Sequence, residues 1–359
     1  MARRASVHVT TLALPPLRHS PFSTPPLLPL LLLLLLVFSS PPLAGSLPCF
    51  FRRPFCSHAR RSPATPSGPP PKIAGCEVFP RSNVWNMRVD SLPVHAMSKA
   101  YVASIGLDSH VHADFGSGLW EGNPIGIPLN LVDSTTPTTS PSFYYPDESD
   151  LGPYPIPASP LVEGGSDHHC LLLDTEHCLL YEIYDYSLQN SQVSAGSGAV
   201  WNLTSNKLRP AGWTSADAAG LPILPGLARY EEVEAGAIRH ALRFTAASTQ
   251  RKYVWPARHY ASSNTDPKQP PMGIRVRLKK SFNITKFPPQ ARIVLRALQT
   301  YGMMLADNGS PWYITGAPNE GWDNDDLHSL HGILGKHFEV VDMSEAARRA
   351  AAMKVLREP

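Results

Sequence analysis

The chain has 359 residues, with 32 Lys/Arg against 29 Asp/Glu and five cysteines. Such a length admits one large domain or two. Residues 1–76 hold eight basic residues and no acid, so 77–359 keep 24 basic against 29 acidic residues. The weakly basic overall balance therefore belongs to the N-terminal stretch, and a basic domain is excluded.

In chain order, the first element is a leader. An apolar run over 27–38, broken only by Pro29, follows a basic stretch and is followed by Leu43-Ala44-Gly45-Ser46. The run is too short to span a bilayer, which needs about 20 apolar residues. Basic start, short apolar core and small-residue exit predict a signal peptide over 1–45 and a secreted chain. The alternative is a plastid transit peptide, because the first 25 residues are rich in Arg, Ser and Pro. No stable membrane span is expected, and a secretory leader argues against nucleic acid as a partner. Residues 46–75, with paired arginines and three successive prolines, predict an extended spacer that cannot bury a core. Of the cysteines, Cys76, Cys170 and Cys178 remain beyond it: one bridge and one buried thiol. Sequons at Asn202, Asn283 and Asn308 fit an extracellular glycoprotein.

From Cys76 to residue 343 the sequence predicts one β-rich domain. Segments 170–174 and 179–186 read as a hairpin. Ile238, His240, Leu242 and Phe244 alternate with Arg239, Ala241 and Arg243, the period of a half-buried strand. Segments 253–260 and 273–280 read as strands too. Segments 303–306 and 312–315 flank Asp307-Asn308-Gly309 and read as a second hairpin. Helices are predicted over 288–300, over 323–334 and in an Ala/Arg-rich tail, 344–359, helical over 344–357. Many short strands with few peripheral helices predict a mainly-β fold, an antiparallel β-sandwich or jelly roll.

Five stretches stand out: Cys76-Glu77-Val78-Phe79-Pro80 with Asn83-Val84-Trp85-Asn86; His112-Ala113-Asp114-Phe115-Gly116; DESDLGPYPIP over 147–157; Asp217-Ala218-Ala219-Gly220-Leu221-Pro222-Ile223; and WPARHYAS over 255–262. Together they resemble a family of secreted bacterial and eukaryotic proteins for which no activity is established. The resemblance covers most of 76–342. It implies that Cys76 and Cys178 are the paired cysteines and that Cys170 is the free thiol. A bridge of that span closes a loop of about 100 residues, worth about 4–5 kcal/mol on the chain-entropy estimate.

Three constellations carry chemistry. Between Arg239 and Arg296 there are thirteen Lys/Arg and one acid. On the strand reading, Arg239 with Arg243, and Arg275 with Arg277, form a basic stripe for a polyanion; the bland reading is a solvated sheet face. His259 lies between Arg258 and Tyr260, a base, cation and donor suited to proton abstraction beside a uronate carboxylate, with His169 and Asp217 in support. His240 shares an apolar face and reads as a core histidine. Trp120 beside Glu121, and Trp213 near Asp217, sit in loops as sugar-stacking platforms, with carboxylates for glycosidase chemistry; the alternative is loop anchoring. His110 and His112 with Asp114 have the look of a metal pair, but nothing supports the parallel barrel such sites use, so no metal is expected. The chain has no phosphate-cradling loop, no G-x-S-x-G elbow and no zinc-finger spacing, and no cofactor is expected.

The sequence thus predicts a protein acting on an extracellular, acidic polysaccharide, as a lyase or hydrolase. The alternative is a glycan-binding or structural wall module without turnover. The two differ in geometry: catalysis requires a histidine, an acid and a cation to converge in one concave pocket, whereas His169, His240 and His259 buried apart favour binding or structure.

Overall fold

The computed structural model describes residues 68–355. The expected signal peptide, most of the spacer, and the end of the tail lie outside the described residues.

The fold is mainly β, with several sheets and few helices. Ten strands build its two largest sheets: β1 His112–Asp114, β2 Leu129–Val132, β3 Cys170–Asp174, β4 Leu179–Tyr184, β5 Ser197–Asn202, β6 Leu242–Ala246, β7 Arg275–Leu278, β8 Met303–Asn308, β9 Tyr313–Thr315 and β10 Phe338–Val341. The smaller sheet runs β5-β4-β3-β2 and the larger β10-β7-β8-β6-β9-β1. Neither follows the expected purely antiparallel pattern. The pairs β2/β3, β6/β8 and β1/β9 are parallel. The larger sheet ends in β10 and β1 and does not close into a barrel.

β3 and β4 form the expected hairpin. Asp174 sets its turn: Oδ1 accepts the N–H groups of Glu176 at 2.9 Å and His177 at 3.0 Å. Four of the five β3 residues are fully buried, because this sheet is covered on both faces. Leu171 and Leu173 join Leu180, Phe244, Leu305 and Leu298 in the main core, while Cys170 and Leu172 join Ile183 and Val193 in a second one. Fully burying each leucine is worth about 1.5–3 kcal/mol. Glu182 faces the main core beside Leu180. It is tolerated because its carboxylate accepts from Trp201 Nε1 at 3.1 Å and from the Leu224 N–H at 2.9 Å.

Cys76 and Cys178 are bonded, with Cα atoms 5.5 Å apart and a separation of 102 positions in sequence. Cys170 is free and buried. Among the described residues, no helix is long and apolar enough to cross a membrane.

Four further expectations need correction. Segments 303–306 and 312–315 do not form a hairpin: β6 lies between β8 and β9, and the Trp312 N–H donates to Thr245 O at 3.1 Å. Segment 253–260 is irregular apart from a bridge of Tyr253 to Met272, in keeping with a proline that offers no ladder donor at 256. The strand expected from Ile238 begins only at Leu242, because α2 (Tyr230–Glu234) precedes it and His240 is turned back onto Glu232. The 323–334 helix is short, Asn324–His328, and continues as a 3-10 turn over Ser329–Gly332. The helices at Pro289–Thr300 and Ser344–Val355 form as expected, and α1 at Ser98–Ile105 adds one that was not.

Candidate functional site

β1 is the edge strand of the larger sheet, and a cleft of ≈ 670 Å³ opens beside it. Three further segments wall the cleft. One is the hairpin Leu119–Trp120 with Asn123–Pro124, turned at Glu121 and Gly122 with φ 50° and 86°. Both central residues are thus left-handed, as a tight two-residue hairpin turn requires. The second is the loop 163–167, which enters β3 of the smaller sheet. It lies so close to the hairpin that a Cβ on Gly164 would come 2.5 Å from Asn123 Cβ, so only glycine fits. The third is the turn carrying His328 and His331. Asn324 at its start is tied to the segment that follows β1 by a reciprocal pair of 3.0 Å bonds with the Ser117 backbone.

The polar groups in this cleft come from all four segments. His112 Nδ1 lies 2.9 Å from His331 Nε2, and the His328 ring stands 4.4 Å from that of His331. Burial lowers the pKa of His112 and of His331, and neighbouring histidines push the same way; Asp114 opposes this at His112. The rings therefore share a hydrogen bond as neutral groups near neutral pH. Asp114 keeps an open face to solvent but is hemmed in by protein. Desolvation raises its carboxyl pKa; His112 opposes this, and Glu163 and Asp167 add to it. Solvent at the open face tempers the effect.

Glu163 is set the other way. Burial alone would raise its carboxyl, but the hydrogen bond and charge of His169, with Arg243 behind, outweigh burial and the net shift is downward. His169 is buried, which alone would lower its pKa; the bond to Glu163 overrides this and holds it at about 9. The pair is thus an imidazolium with a carboxylate. Glu163 Oε2 takes the bonds from His169, and Oε1 accepts none from the described residues. Exposed Trp120 completes the lining, 72% of its surface open.

Behind the cleft lies Arg243, fully paired. Its Nε and Nη2 donate to the Asp217 carboxylate at 3.0 and 2.7 Å. Asp307 Oδ2 is 3.9 Å away, and burial with Asp217 beside it pushes that carboxyl up to about 7 against the pull of Arg243.

The residues singled out in the sequence separate. Trp120 lines the cleft. His169 and Asp217 lie behind it as positioning groups, and Asp217, wholly buried against Arg243, cannot act on a ligand. The basic stripe does not form, because its arginines are spent inside the protein. Arg275 donates to three backbone carbonyls and Arg277 to Glu339 and Leu92 O; of the four, Arg239 alone is exposed. His259 stands apart from the cleft, stacked on Tyr260, with Nδ1 on Ala218 O at 2.8 Å and Nε2 3.9 Å from Glu148. Arg258 donates to Arg209 O at 2.8 Å. Trp213 is half-buried outside the cleft, with the Arg209 guanidinium over its ring at 5.4 Å. His240 is a core histidine between Ala241 O and Glu232. His240 is turned onto Glu232, His169 is buried on Glu163 and Ala216 O, and His259 does not line the cleft, while Arg258, the cation expected beside it, is held by Arg209 O.

Asp114 and Glu163 are cleft carboxylates that the sequence reading did not choose as site residues. Among the described residues, no group of three or more His, Cys, Asp or Glu is placed to hold a metal ion. A second hollow of ≈ 490 Å³, lined by Asp133, Asp150 and Asp174, has neither histidine nor tryptophan. Its carboxylates already accept bonds from Thr135, Arg209 and His177.

Comparison of the chain with protein-family models, curated proteins and solved structures finds no match.

Proposed function

We propose that this is a secreted protein whose β1 cleft binds and hydrolyses an extracellular glycan. The observation that carries the reading is an exposed indole, Trp120, in one cleft with two carboxylates whose surroundings push their protonation apart. That division is what glycoside hydrolysis needs. A sugar ring stacks on Trp120. Asp114, in its protonated form, gives its proton to the glycosidic oxygen as the bond from that oxygen to the anomeric carbon breaks. Ionised Glu163 steadies the developing positive charge and takes a proton from the water whose hydroxyl adds to the anomeric carbon. His169 holds Glu163 ionised and aimed. The neutral pair His112 and His331 offers hydrogen bonds to sugar hydroxyls. On the same reading, the two sheets that share the core are layers of a sandwich, with the cleft at the β1 edge.

The dispersal of His169, His240 and His259 favours a second reading, in which the same cleft holds a glycan without turnover. Release of new reducing ends from a glycan panel separates the two. Asp114→Asn and Glu163→Gln are each expected to lower kcat by about 10²–10⁴-fold, the ordinary weight of acid–base catalysis. Binding with no new reducing ends on any member of the panel overturns hydrolysis in favour of the second reading. Neither binding nor cleavage overturns both.

A further inference from the structure

The charge of the cleft argues for a substrate class opposite to the acidic polysaccharide anticipated from the arginines. The lining contains Asp114, Glu163 and Asp167 and three histidines, and no lysine or arginine. Two of those histidines, His112 and His331, are kept neutral by burial. Arg243 and His169, the cations that act on Glu163, are buried and committed to Asp217 and Glu163. Among the described residues the lining offers no lysine or arginine to receive a carboxylate or sulfate, and a uronate ring entering here meets three carboxylates of like charge.

Asp167 is the acid that the hydrolytic reading does not use. It lies on the same loop as Glu163, four residues on, and its carboxylate receives one weak neutral bond, from the Ser166 hydroxyl at 3.2 Å. It is fixed in place: its backbone carbonyl accepts the Asp185 N–H at 2.8 Å, and the carbonyl of the next residue, His168, accepts the Tyr186 N–H at 3.1 Å. It is exposed on the lining of the cleft that holds Trp120. A carboxylate so placed, with no cation bonded to it among the described residues, suits an ammonium group on a sugar stacked over the indole, since a charge-assisted bond is about twice as strong as a neutral one.

We infer that the cleft selects glycans bearing free amino groups, of the polyglucosamine class, with Asp167 receiving the ammonium. This rests on the reading of the cleft as a glycan hydrolase. The site is the cleft as a whole; Asp167 sets its selectivity.

The test compares fully deacetylated glucosamine oligomers, their N-acetylated counterparts, a neutral glucan and polygalacturonate, using the full chain and the Asp167→Asn variant. The expected result is the highest kcat/KM on the deacetylated oligomers, an advantage that shrinks as salt is raised. Asp167→Asn is expected to lower the ratio of deacetylated to acetylated kcat/KM by about tenfold. A preference for acetylated, neutral or uronate glycans, or a ratio unmoved by the substitution, overturns the inference while leaving hydrolysis standing. If nothing is cleaved, hydrolysis is what fails. Calorimetric binding of the deacetylated oligomers to both proteins then decides selectivity, and equal affinity for acetylated and deacetylated forms overturns it.

Discussion

Glu163 and His169 are bonded to each other three times: Glu163 N–H donates to His169 O at 2.9 Å, His169 N–H donates to Glu163 Oε2 at 3.3 Å, and His169 Nδ1 donates to the same oxygen. The backbone bonds pin the glycine-containing loop between them, and the ring bond fixes which carboxylate oxygen remains for the cleft. Positioning and ionisation of Glu163 thus depend on one buried histidine.

That dependence sets a pH window for stability. The His169 pKa is raised from 6.5 to about 9, so its contribution is complete below 6.5 and is lost as pH climbs through about 9. The Glu163 pKa is depressed from 4.5, so its contribution is present above 4.5 and is lost as pH falls through the lowered value. The pair stabilises most between these two ordinary values. Urea midpoints are expected to fall between pH 6 and pH 9.5, and His169→Gln is expected to remove most of that slope. An unchanged slope in the variant contradicts an ionised pair.

The bridge between Cys76 and Cys178 fastens the Cys76–Glu77 strand, which pairs with Lys72–Ile73, to the end of the β3–β4 hairpin. Replacing both cysteines by serine is expected to cost about 4 kcal/mol, the chain-entropy value for a loop of this length. Cys170 is expected to stay unreactive in the folded wild type, since burial pushes its thiol up to about 12. Chemical denaturation of the double variant, and thiol titration with and without denaturant, check both points. A loss below about 1 kcal/mol argues that the terminus is held by packing alone.

Arg243 and Asp217 form a buried ion pair behind the cleft. Removing one partner of such a pair costs about 3–5 kcal/mol, because the other charge stays buried and uncompensated. Arg243→Met is expected to show that loss, and adding Asp217→Asn is expected to recover part of it. A double variant no more stable than the single one contradicts the assignment of that cost to the orphaned carboxylate.

What was legible in the sequence follows from how local each signal is. The β3–β4 hairpin was readable because an unbroken apolar run and its turn residues lie within about fifteen positions. The helix Ser98–Ile105 was readable in principle: Ser98, Tyr101, Val102 and Ile105 are its buried residues, at helical spacing. The false hairpin at 303–315 arose because adjacency in sequence says nothing about β6 inserting from sixty residues earlier. The arginine stripe failed for a related reason. Arg243 alternates with Leu242 and Phe244 as an exposed residue would, but its partner Asp217 comes from a distant loop, and Arg275 is satisfied by carbonyls of 84, 87 and 301. Trp120 was singled out because a tryptophan in a glycine-bounded loop, between Gly118 and Gly122, is a local signal. Asp114 was noticed only beside His110 and His112, in a metal-like pattern that the same reading set aside. Glu163 carried only an acid before Gly164-Gly165, and its meaning depends on His169 behind it and β1 across from it.

The central claim is that Asp114 and Glu163 act on a sugar held by Trp120. A crystal structure of the Glu163→Gln variant with a bound oligosaccharide tests it most directly. The account expects a pyranose ring over the Trp120 indole and a glycosidic oxygen within about 2.6–3.2 Å of the Asp114 carboxyl. A saccharide seated instead on the His259 and Tyr260 face, or a β1 cleft left empty at saturating ligand, contradicts it.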